Sequence, residues 1–179
     1  MRLLLAVMSL GLLAGCSSGP MPVTHGNSIA DYPLENLHRV SAEVYRSGQP
    51  GREDFAELQR RGLKSVLNLR RHHSDEDDVR GVALTLYELP LNAGSLNESE
   101  LRAALAIIRH APKPILIHCW HGSDRTGAVA AAYRIAEQNW TAEDAVRELQ
   151  QDEYGHHDVI YGNIPKLLRS IDRTQINRP

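Results

Sequence analysis

The 179-residue sequence predicts a single three-layer α/β domain around a mixed, mostly parallel sheet of about four or five strands. Short apolar segments alternate with longer amphipathic ones after residue 37, which is the order expected when helices cover both faces of a sheet. Residues 115–117 are a continuous apolar run typical of a strand that is buried on both faces. A content of 42% hydrophobic and 23% charged residues is ordinary for one globular domain.

The first half of the domain is predicted to be rich in strands. Strands are predicted over 37–40, 44–46, 65–69 and 83–89, and a helix over 52–61. Only three residues separate the first two strands, so they form a plausible hairpin that makes the sheet mixed. Phe55 and Leu58 lie three positions apart on one face of the helix, and Gly62 stands where a C-terminal cap is expected.

The second half is predicted to be mainly helical around the buried strand. Helices are predicted from 98 to the prolines at 112 and 114, over 126–136, over 141–150, and after Asn163. Asn97 can cap the first of these helices, and Glu98 and Glu100 favour its positive N-terminal end. The stretch 126–136 is dominated by Ala, Val and Ile, which indicates a helix packed closely against the sheet.

Residues 1–15 are predicted to be an export signal that lies outside this domain. Arg2 supplies a positive start, residues 3–13 are almost wholly apolar, and two small residues precede Cys16. The apolar run is short for a membrane span of about 20 residues, so cleavage is expected. Residues 13–16 also resemble the bacterial lipobox, which implies cleavage before Cys16 and lipidation of that residue. A plain secretory signal with a coincidental cysteine is the alternative.

The mature chain is therefore expected on the periplasmic side of a bacterial envelope, attached to the membrane by lipid. In proteins with a lipobox, a residue other than Asp after the cysteine usually accompanies sorting to the outer membrane, so Ser17 favours the outer over the inner membrane. Residues 16–36 are rich in Ser, Gly, Pro and Asn, as expected of a flexible linker. The catalytic domain is predicted over 37–179, and we expect a monomer.

The charge balance argues against nucleic acid as a partner. Without Arg2 the chain has 19 basic and 22 acidic residues, a formal charge of about −3. It has no basic tail and no internal repeat. The only cysteines are Cys16 and Cys119. If Cys16 carries lipid, Cys119 has no intramolecular partner in a compartment where disulfides form, so it is either a reactive thiol or a small buried apolar residue.

Residues 117–127, with the sequence IHCWHGSDRTG, carry the strongest functional signal. Such a loop can turn its N–H groups inward, and the positive end of the next helix adds to their field. Both features would bind a phosphate dianion and stabilise a Cys119 thiolate. Arg125 can hold two phosphoryl oxygens through its planar fork. The predicted reaction is attack by Cys119 on phosphorus, giving a phosphocysteine that water hydrolyses, without cofactor or metal.

The other loop residues are assigned supporting tasks. Those expected to contact the phosphate are Trp120, His121, Gly122, Ser123 and Thr126. The Thr126 hydroxyl could also donate to the thiolate or cap the helix. His118 is expected to point away from the phosphate and to organise the loop by a hydrogen bond, with a bystander core histidine as the alternative. His121 either lines the mouth of the site or is solvated.

These residues resemble the signature of the cysteine-dependent protein tyrosine phosphatases, particularly the dual-specificity branch: His-Cys, five residues, then Arg followed by Ser or Thr. Residues 44–50 and 66–70 also resemble the N-terminal half of compact bacterial and fungal members, so the resemblance spans roughly 37–170. It implies hydrolysis of phosphate esters on proteins, at phosphotyrosine, phosphoserine or phosphothreonine. Phosphoinositides and small phosphate esters are alternative substrates.

The resemblance leaves the general acid open, because the family usually places an Asp on a loop upstream of the nucleophile. The matching stretch 89–94 offers Asn92, which cannot donate a proton as an acid must. A bacterial subgroup with Asp directly before the arginine is thought to use that residue, which assigns the role to Asp124. Asp124 could instead favour the helix N-terminus or clasp Arg125. Further candidates are Glu88, Glu98 and Glu100.

Other features have simpler interpretations. The pairs His72-His73 and His156-His157 lack the spacing of metal ligands, because sequence neighbours diverge on a strand or a helix. The acidic run 75–78 is most simply a solvated loop or helix start, with a part in substrate selection as the alternative. Two other function classes remain. A rhodanese-type sulfurtransferase uses a similar but typically shorter loop, and a binding module could keep the phosphate cradle after losing turnover.

Overall fold

The structure is a computed structural model that describes residues 28–176, and it contains the predicted three-layer α/β fold. Its five strands are β1 (His38–Arg39), β2 (Val44–Ser47), β3 (Ser65–Asn68), β4 (Thr85–Glu88) and β5 (Ile115–His118). They form one sheet in the order β1-β2-β5-β3-β4. The β1–β2 pair is antiparallel and the other pairs are parallel, so the predicted hairpin and the mixed sheet are confirmed.

Seven α-helices occur in the described part of the chain, in addition to three short 3₁₀ helices. They are α1 (Arg52–Arg60), α2 (Glu98–His110), α3 (Asp124–Glu137), α4 (Ala142–Leu149), α5 (Asp158–Tyr161), α6 (Asn163–Ser170) and α7 (Arg173–Ile176). The predicted Asn97 cap is confirmed, because its side chain accepts a hydrogen bond from the Glu100 N–H. Gly62 follows α1 with φ +102°, a backbone conformation that glycine adopts most easily.

The two faces of the sheet belong to two different hydrophobic clusters. Alternate residues of a strand point to opposite faces, so Leu116 packs with Phe55 and Leu58 of α1 on one side. Ile115 and Ile117 pack on the other side with the buried residues of α2, α3, α4 and α6. Because β5 pairs with strands on both edges and is fully buried, the loop that follows it is held by the centre of the molecule.

The structure differs from the sequence predictions at several boundaries. The folded body includes residues 28–36, which were assigned to the linker, and Ile29 is buried in the cluster around α1. Helix α3 begins at Asp124, two residues before the predicted start, and the short helices α5 and α7 were not predicted. The export signal and Cys16 lie outside the described residues. Within residues 28–176, no helix has both the length and the apolar character needed to span a bilayer.

Candidate active site

The loop from Cys119 to Ser123 joins the carboxyl end of β5 to α3, and its carbonyl groups are bonded to the surrounding scaffold. The Trp120 carbonyl accepts from the Gln49 N–H at 3.0 Å. The His121 carbonyl accepts from Asn36 Nδ2 at 2.9 Å, and the Gly122 carbonyl accepts from Arg46 Nη2 at 2.7 Å. Among the described residues, the N–H groups of 120–123 donate to no backbone carbonyl. This arrangement leaves those donors for an anion, as the sequence predicts.

Gly122 lets the loop pass close to the end of β2. Its φ is +75°, and a Cβ atom built on it would lie 2.6 Å from the Ser47 carbonyl carbon and the Gly48 nitrogen. Both are backbone atoms that cannot move aside easily, so only glycine fits. Gly122 is therefore required for the shape of the loop.

The N-terminus of α3 has no side-chain cap. Ser123 is the N-cap residue, but its side chain makes no capping hydrogen bond. The alternative that Thr126 caps this helix is therefore wrong. The Thr126 side chain is fully buried, and its hydroxyl has no hydrogen-bond partner among the described residues. The N–H groups of the first turn are left for an anion, and the Thr126 hydroxyl is a donor without an assigned acceptor.

A cavity of about 480 Å³ opens at this loop. It is lined by Arg71, Leu91, Asn92, Ala93, Cys119, Trp120, His121, Asp124, Arg125, His157, Ile160 and Tyr161. Five of the predicted site residues are thus brought together: Cys119, Trp120, His121, Asp124 and Arg125. Gly122, Ser123, Thr126 and His118 lie outside the lining. Cys119 is nearly buried, whereas Trp120 and Ile160 are exposed at the rim, by 50% and 67%.

Arg46 lies beneath the loop, and sequence reasoning assigned it no functional role. It is buried with 2% exposure, its Nη2 holds the Gly122 carbonyl, and its guanidinium stacks over the Tyr154 ring at 4.4 Å. Burial lowers the pKa of Arg46 to about 10, so it stays charged at neutral pH. A second cation therefore lies under the anion-binding loop, in addition to Arg125 at the cavity.

His118 lies behind the loop and is held by a buried network. Its Nε2 is 2.8 Å from Asp75 Oδ2, and its Nδ1 is 3.2 Å from the Cys119 carbonyl oxygen. Asp75 also accepts from Arg70 Nη2 at 2.8 Å and from Gln49 Nε2 at 3.1 Å. For Asp75 the prediction of a solvated acidic run is wrong, because this residue is fully buried. Asp75 is the member of this acidic run whose carboxylate points into the protein, where it pairs with Arg70 and His118.

Asp75→Asn is expected to lower the free energy of unfolding by about 3 kcal/mol at neutral pH, because it leaves the buried Arg70 without its counter-charge. Burial alone would raise the pKa of Asp75, but hydrogen bonds from His118 and Gln49 and the charges of His118 and Arg70 lower it. A depressed carboxyl pKa stabilises the fold above the unfolded value of about 3.9, and this contribution is lost as the pH falls through the folded value. Urea unfolding of the wild-type chain and of Asp75→Asn, from neutral pH to below pH 4, measures the difference in the free energy of unfolding.

Asp77→Asn is the matched control for Asp75→Asn. Asp77 belongs to the same acidic run, but its side chain is 83% exposed and its ion pair with Arg80 is on the surface. We expect this variant to change stability by less than about 0.5 kcal/mol. Equal effects at the two positions would contradict the role given to Asp75, as would an Asp75→Asn loss that persists unchanged well below pH 4.

Asp124 lines the cavity, and its carboxylate is bonded to two histidines. Oδ1 lies 2.8 Å from His156 Nδ1 and 3.0 Å from the His157 backbone nitrogen, and Oδ2 lies 2.8 Å from His157 Nδ1. Burial would raise the pKa of Asp124, but these hydrogen bonds and the charge of His157 outweigh burial and lower it. The arrangement favours an ionised Asp124. The sequence offered no sign of it, because His156 and His157 stand more than 30 positions after Asp124.

The other candidates for the acid lie elsewhere. Asn92 lines the cavity and accepts a hydrogen bond from the Gly94 N–H. Glu100 accepts from the Asn97 N–H in the cap of α2, and neither Glu88 nor Glu98 lines the cavity. No group of three or more His, Cys, Asp or Glu side chains within residues 28–176 could hold a metal ion.

A buried central strand, a loop that carries Cys119 and Arg125, and an uncapped helix form the arrangement expected of a cysteine-dependent phosphatase. The chain belongs to the tyrosine phosphatase family, whose model matches residues 32–159. It is 32% identical over 167 residues to the dual specificity protein phosphatase TpbA of Pseudomonas aeruginosa, an alignment that covers 88% of this chain and 75% of that protein. It is 34% identical over 119 residues to the inositol diphosphatase SIW14 of Saccharomyces cerevisiae, covering 61% and 42% of the two chains.

Solved structures agree with this assignment. A crystal structure of P. aeruginosa TpbA has a TM-score of 0.69 at 31% identity and covers 79% of this chain and 88% of that one. A cysteine-to-serine variant of TpbA has been crystallised in complex with phosphotyrosine. The catalytic domain of S. cerevisiae SIW14, described as a PP-IP phosphatase and bound to citrate, has a TM-score of 0.70 at 28% identity, with coverage of 82% and 91%.

Proposed function

We propose that the chain hydrolyses phosphate monoesters on proteins, at phosphotyrosine or at phosphoserine and phosphothreonine, through a phosphocysteine on Cys119. The observation that carries this proposal is the loop whose carbonyl groups are bonded outward while Cys119 and Arg125 line one cavity at the start of α3. A phosphate held by these N–H groups and by Arg125 would face the Cys119 sulfur, because both side chains line the same cavity. The buried Thr126 hydroxyl has no hydrogen-bond partner among the described residues, which leaves it available as a donor when that sulfur departs in the second step.

The rim of the cavity favours phosphotyrosine among these substrates. Trp120 and Ile160 present exposed apolar surface at the mouth, where the ring of a tyrosyl phosphate would pack. Inositol phosphates are the second candidate, because several relatives are inositol diphosphatases. Arg71, His121 and His157 would give such an anionic substrate its additional contacts. Membership of the phosphatase family leaves the sulfurtransferase alternative without support.

The test compares kcat/KM for a phosphotyrosine peptide, a phosphoserine peptide and an inositol diphosphate. It also includes rapid denaturation in detergent at neutral pH after exposure to ³²P-labelled phosphopeptide. We expect the phosphotyrosine peptide to be the best substrate and ³²P to be recovered on the peptide that contains Cys119. Preference for the inositol diphosphate would select the second candidate. Turnover without any label on Cys119 would contradict the covalent mechanism.

We also propose that Cys16 is lipidated and that the catalytic domain works on the periplasmic side of the envelope, at the outer membrane. The support is the signal-like segment 1–15 followed by the lipobox-like residues 13–16. Metabolic labelling with a fatty-acid analogue should mark the wild-type chain in the membrane fraction, and Cys16→Ser should remove the label. Label retained on the Cys16→Ser variant would contradict this proposal.

A further inference from the structure

The proposed reaction needs a proton donor for the leaving oxygen, and the upstream loop offers only Asn92. Four lining side chains could exchange a proton besides the nucleophile: His121, Asp124, His157 and Tyr161. Asp124 accepts from three N–H donors at 2.8–3.0 Å, which stabilise its carboxylate and oppose its protonation. A phenol is intrinsically a weaker acid than an imidazolium, so Tyr161 is the less suitable donor. The two histidines remain.

Of these two, only His157 is oriented by a carboxylate. An ionised carboxylate can only accept, so His157 Nδ1 donates its hydrogen to Asp124 Oδ2. This bond fixes the ring and leaves Nε2 as the nitrogen that can exchange a proton. The His157 side chain is 46% exposed and lines the cavity with Cys119. His156 binds the same carboxylate, but its side chain is fully buried and does not line the cavity.

We propose that His157 is the general acid and base of this site, and that Asp124 is the carboxylate that orients it. This inference rests on the proposed phosphatase function. It makes Asp124 a positioning residue and gives the proton transfer to a residue that no sequence motif marked. The pair repeats a known arrangement, in which a buried carboxylate holds one nitrogen of an imidazole and the other nitrogen moves the proton.

The proton balance closes over the two steps. In the first step the Cys119 thiolate forms the S–P bond, the bond from phosphorus to the ester oxygen breaks, and His157 Nε2–H gives its proton to that oxygen. In the second step water attacks phosphorus, neutral His157 Nε2 accepts a proton from the water, and the S–P bond breaks with its electron pair returning to sulfur. The products are the alcohol and hydrogen phosphate, and His157 is protonated again.

Charged and titratable groups surround His157 on several sides. Asp124 lies on α3, and the His121 ring is 6.3 Å from the His157 ring. Tyr161 of α5 has its ring at 6.4 Å. A neighbouring cavity that His157 also lines contains Glu35, Asp152 and Glu153. Because any of these could change a pH profile, the dependence of rate on the leaving group is the better readout.

The test is His157→Asn, assayed with p-nitrophenyl phosphate and phenyl phosphate. The asparagine amide can keep the hydrogen bond to Asp124 in place of Nδ1 but has no exchangeable Nε2 proton. The p-nitrophenolate ion is a weak base and leaves without help, whereas phenolate is as basic as tyrosinate. We expect kcat/KM to fall about 10²-fold or more for phenyl phosphate and only a few-fold for p-nitrophenyl phosphate. His157→Gln provides a second variant if His157→Asn does not fold.

His156→Asn is the matched control, because it makes the same change at the other histidine bonded to Asp124. We expect its two substrates to be affected equally. Equal losses for both substrates in His157→Asn would overturn the proposal, and so would a leaving-group effect in His156→Asn as large as that in His157→Asn. If Asp124 itself is the acid, Asp124→Asn loses more activity toward phenyl phosphate than toward p-nitrophenyl phosphate, while His157→Asn loses both equally. That result also overturns the proposal. Failure of the wild-type chain to hydrolyse either ester would instead refute the proposed function.

Discussion

Cys119→Ser is expected to abolish hydrolysis of p-nitrophenyl phosphate, with kcat falling at least about 10⁴-fold. The serine side chain has nearly the same size and fits the same nearly buried position. A serine hydroxyl is, however, a much weaker nucleophile than a cysteine sulfur, because it keeps its proton at neutral pH and sulfur is intrinsically more nucleophilic. The measurement is release of p-nitrophenolate by the purified variant.

Binding should survive this substitution, because the phosphate contacts come from the loop backbone and from Arg125. Calorimetry with phosphotyrosine should therefore give a dissociation constant within about tenfold of the value for a non-hydrolysable analogue on the wild-type chain. Loss of both binding and turnover, with a lowered melting temperature, would mean that the serine disrupts the loop. An unchanged rate would exclude Cys119 as the nucleophile.

The core of the site could be predicted from the sequence because its residues are neighbours in the chain. Cys119, Arg125 and the start of α3 lie within one strand–loop–helix segment, and the apolar run before them indicates a buried strand. Helices of several turns and strands with a clear apolar pattern could also be predicted, because their periodicity is contained in one continuous segment. The four-residue helices α5 and α7 have little more than one turn, so they show no periodicity to read.

The supporting residues could not be predicted, because the fold brings them from distant parts of the chain. Arg46 reaches the Gly122 carbonyl from 76 positions away, and Asp75 reaches His118 from 43. In the sequence Asp75 is one of several consecutive acids, and nothing marks it as the buried member. The pair His156-His157 lacks the spacing of metal ligands, and nothing in the sequence indicates that both histidines bind one carboxylate at the cavity.

Two cations lie near the reacting sulfur, and they have different tasks. Arg46 is enclosed behind the loop. Its hydrogen bond to the Gly122 carbonyl and its stacking on Tyr154 fix the backbone of the loop. Arg125 lines the cavity itself, and within residues 28–176 its side chain makes a single hydrogen bond, a long one from Nη1 to the Leu69 carbonyl at 3.4 Å. A guanidinium with so weak a protein bond can reorganise around a phosphoryl group as substrate arrives. This freedom is what the proposed recognition of the transferring phosphoryl group by Arg125 requires.

Arg125→Lys should lower kcat/KM for a phosphotyrosine peptide by roughly 10²–10³-fold, although the positive charge is kept. A planar guanidinium can donate two parallel hydrogen bonds to two phosphoryl oxygens, and an ammonium acts only as a point charge. The second bond matters most as charge builds on these oxygens during transfer, so the loss should appear in kcat more than in KM. Steady-state kinetics of the variant measure kcat and KM separately.

Arg71→Lys is the control for this prediction, because the same substitution is made at another arginine that lines the cavity. Arg71 is exposed at the mouth, where a cation attracts the substrate without holding the transferring oxygens. We expect kcat to change by less than about threefold, with the remaining effect in KM and weakened by added salt. If Arg71→Lys lowers kcat as much as Arg125→Lys does, or if Arg125→Lys turns over at the wild-type rate, the phosphoryl oxygens are not held by the Arg125 fork.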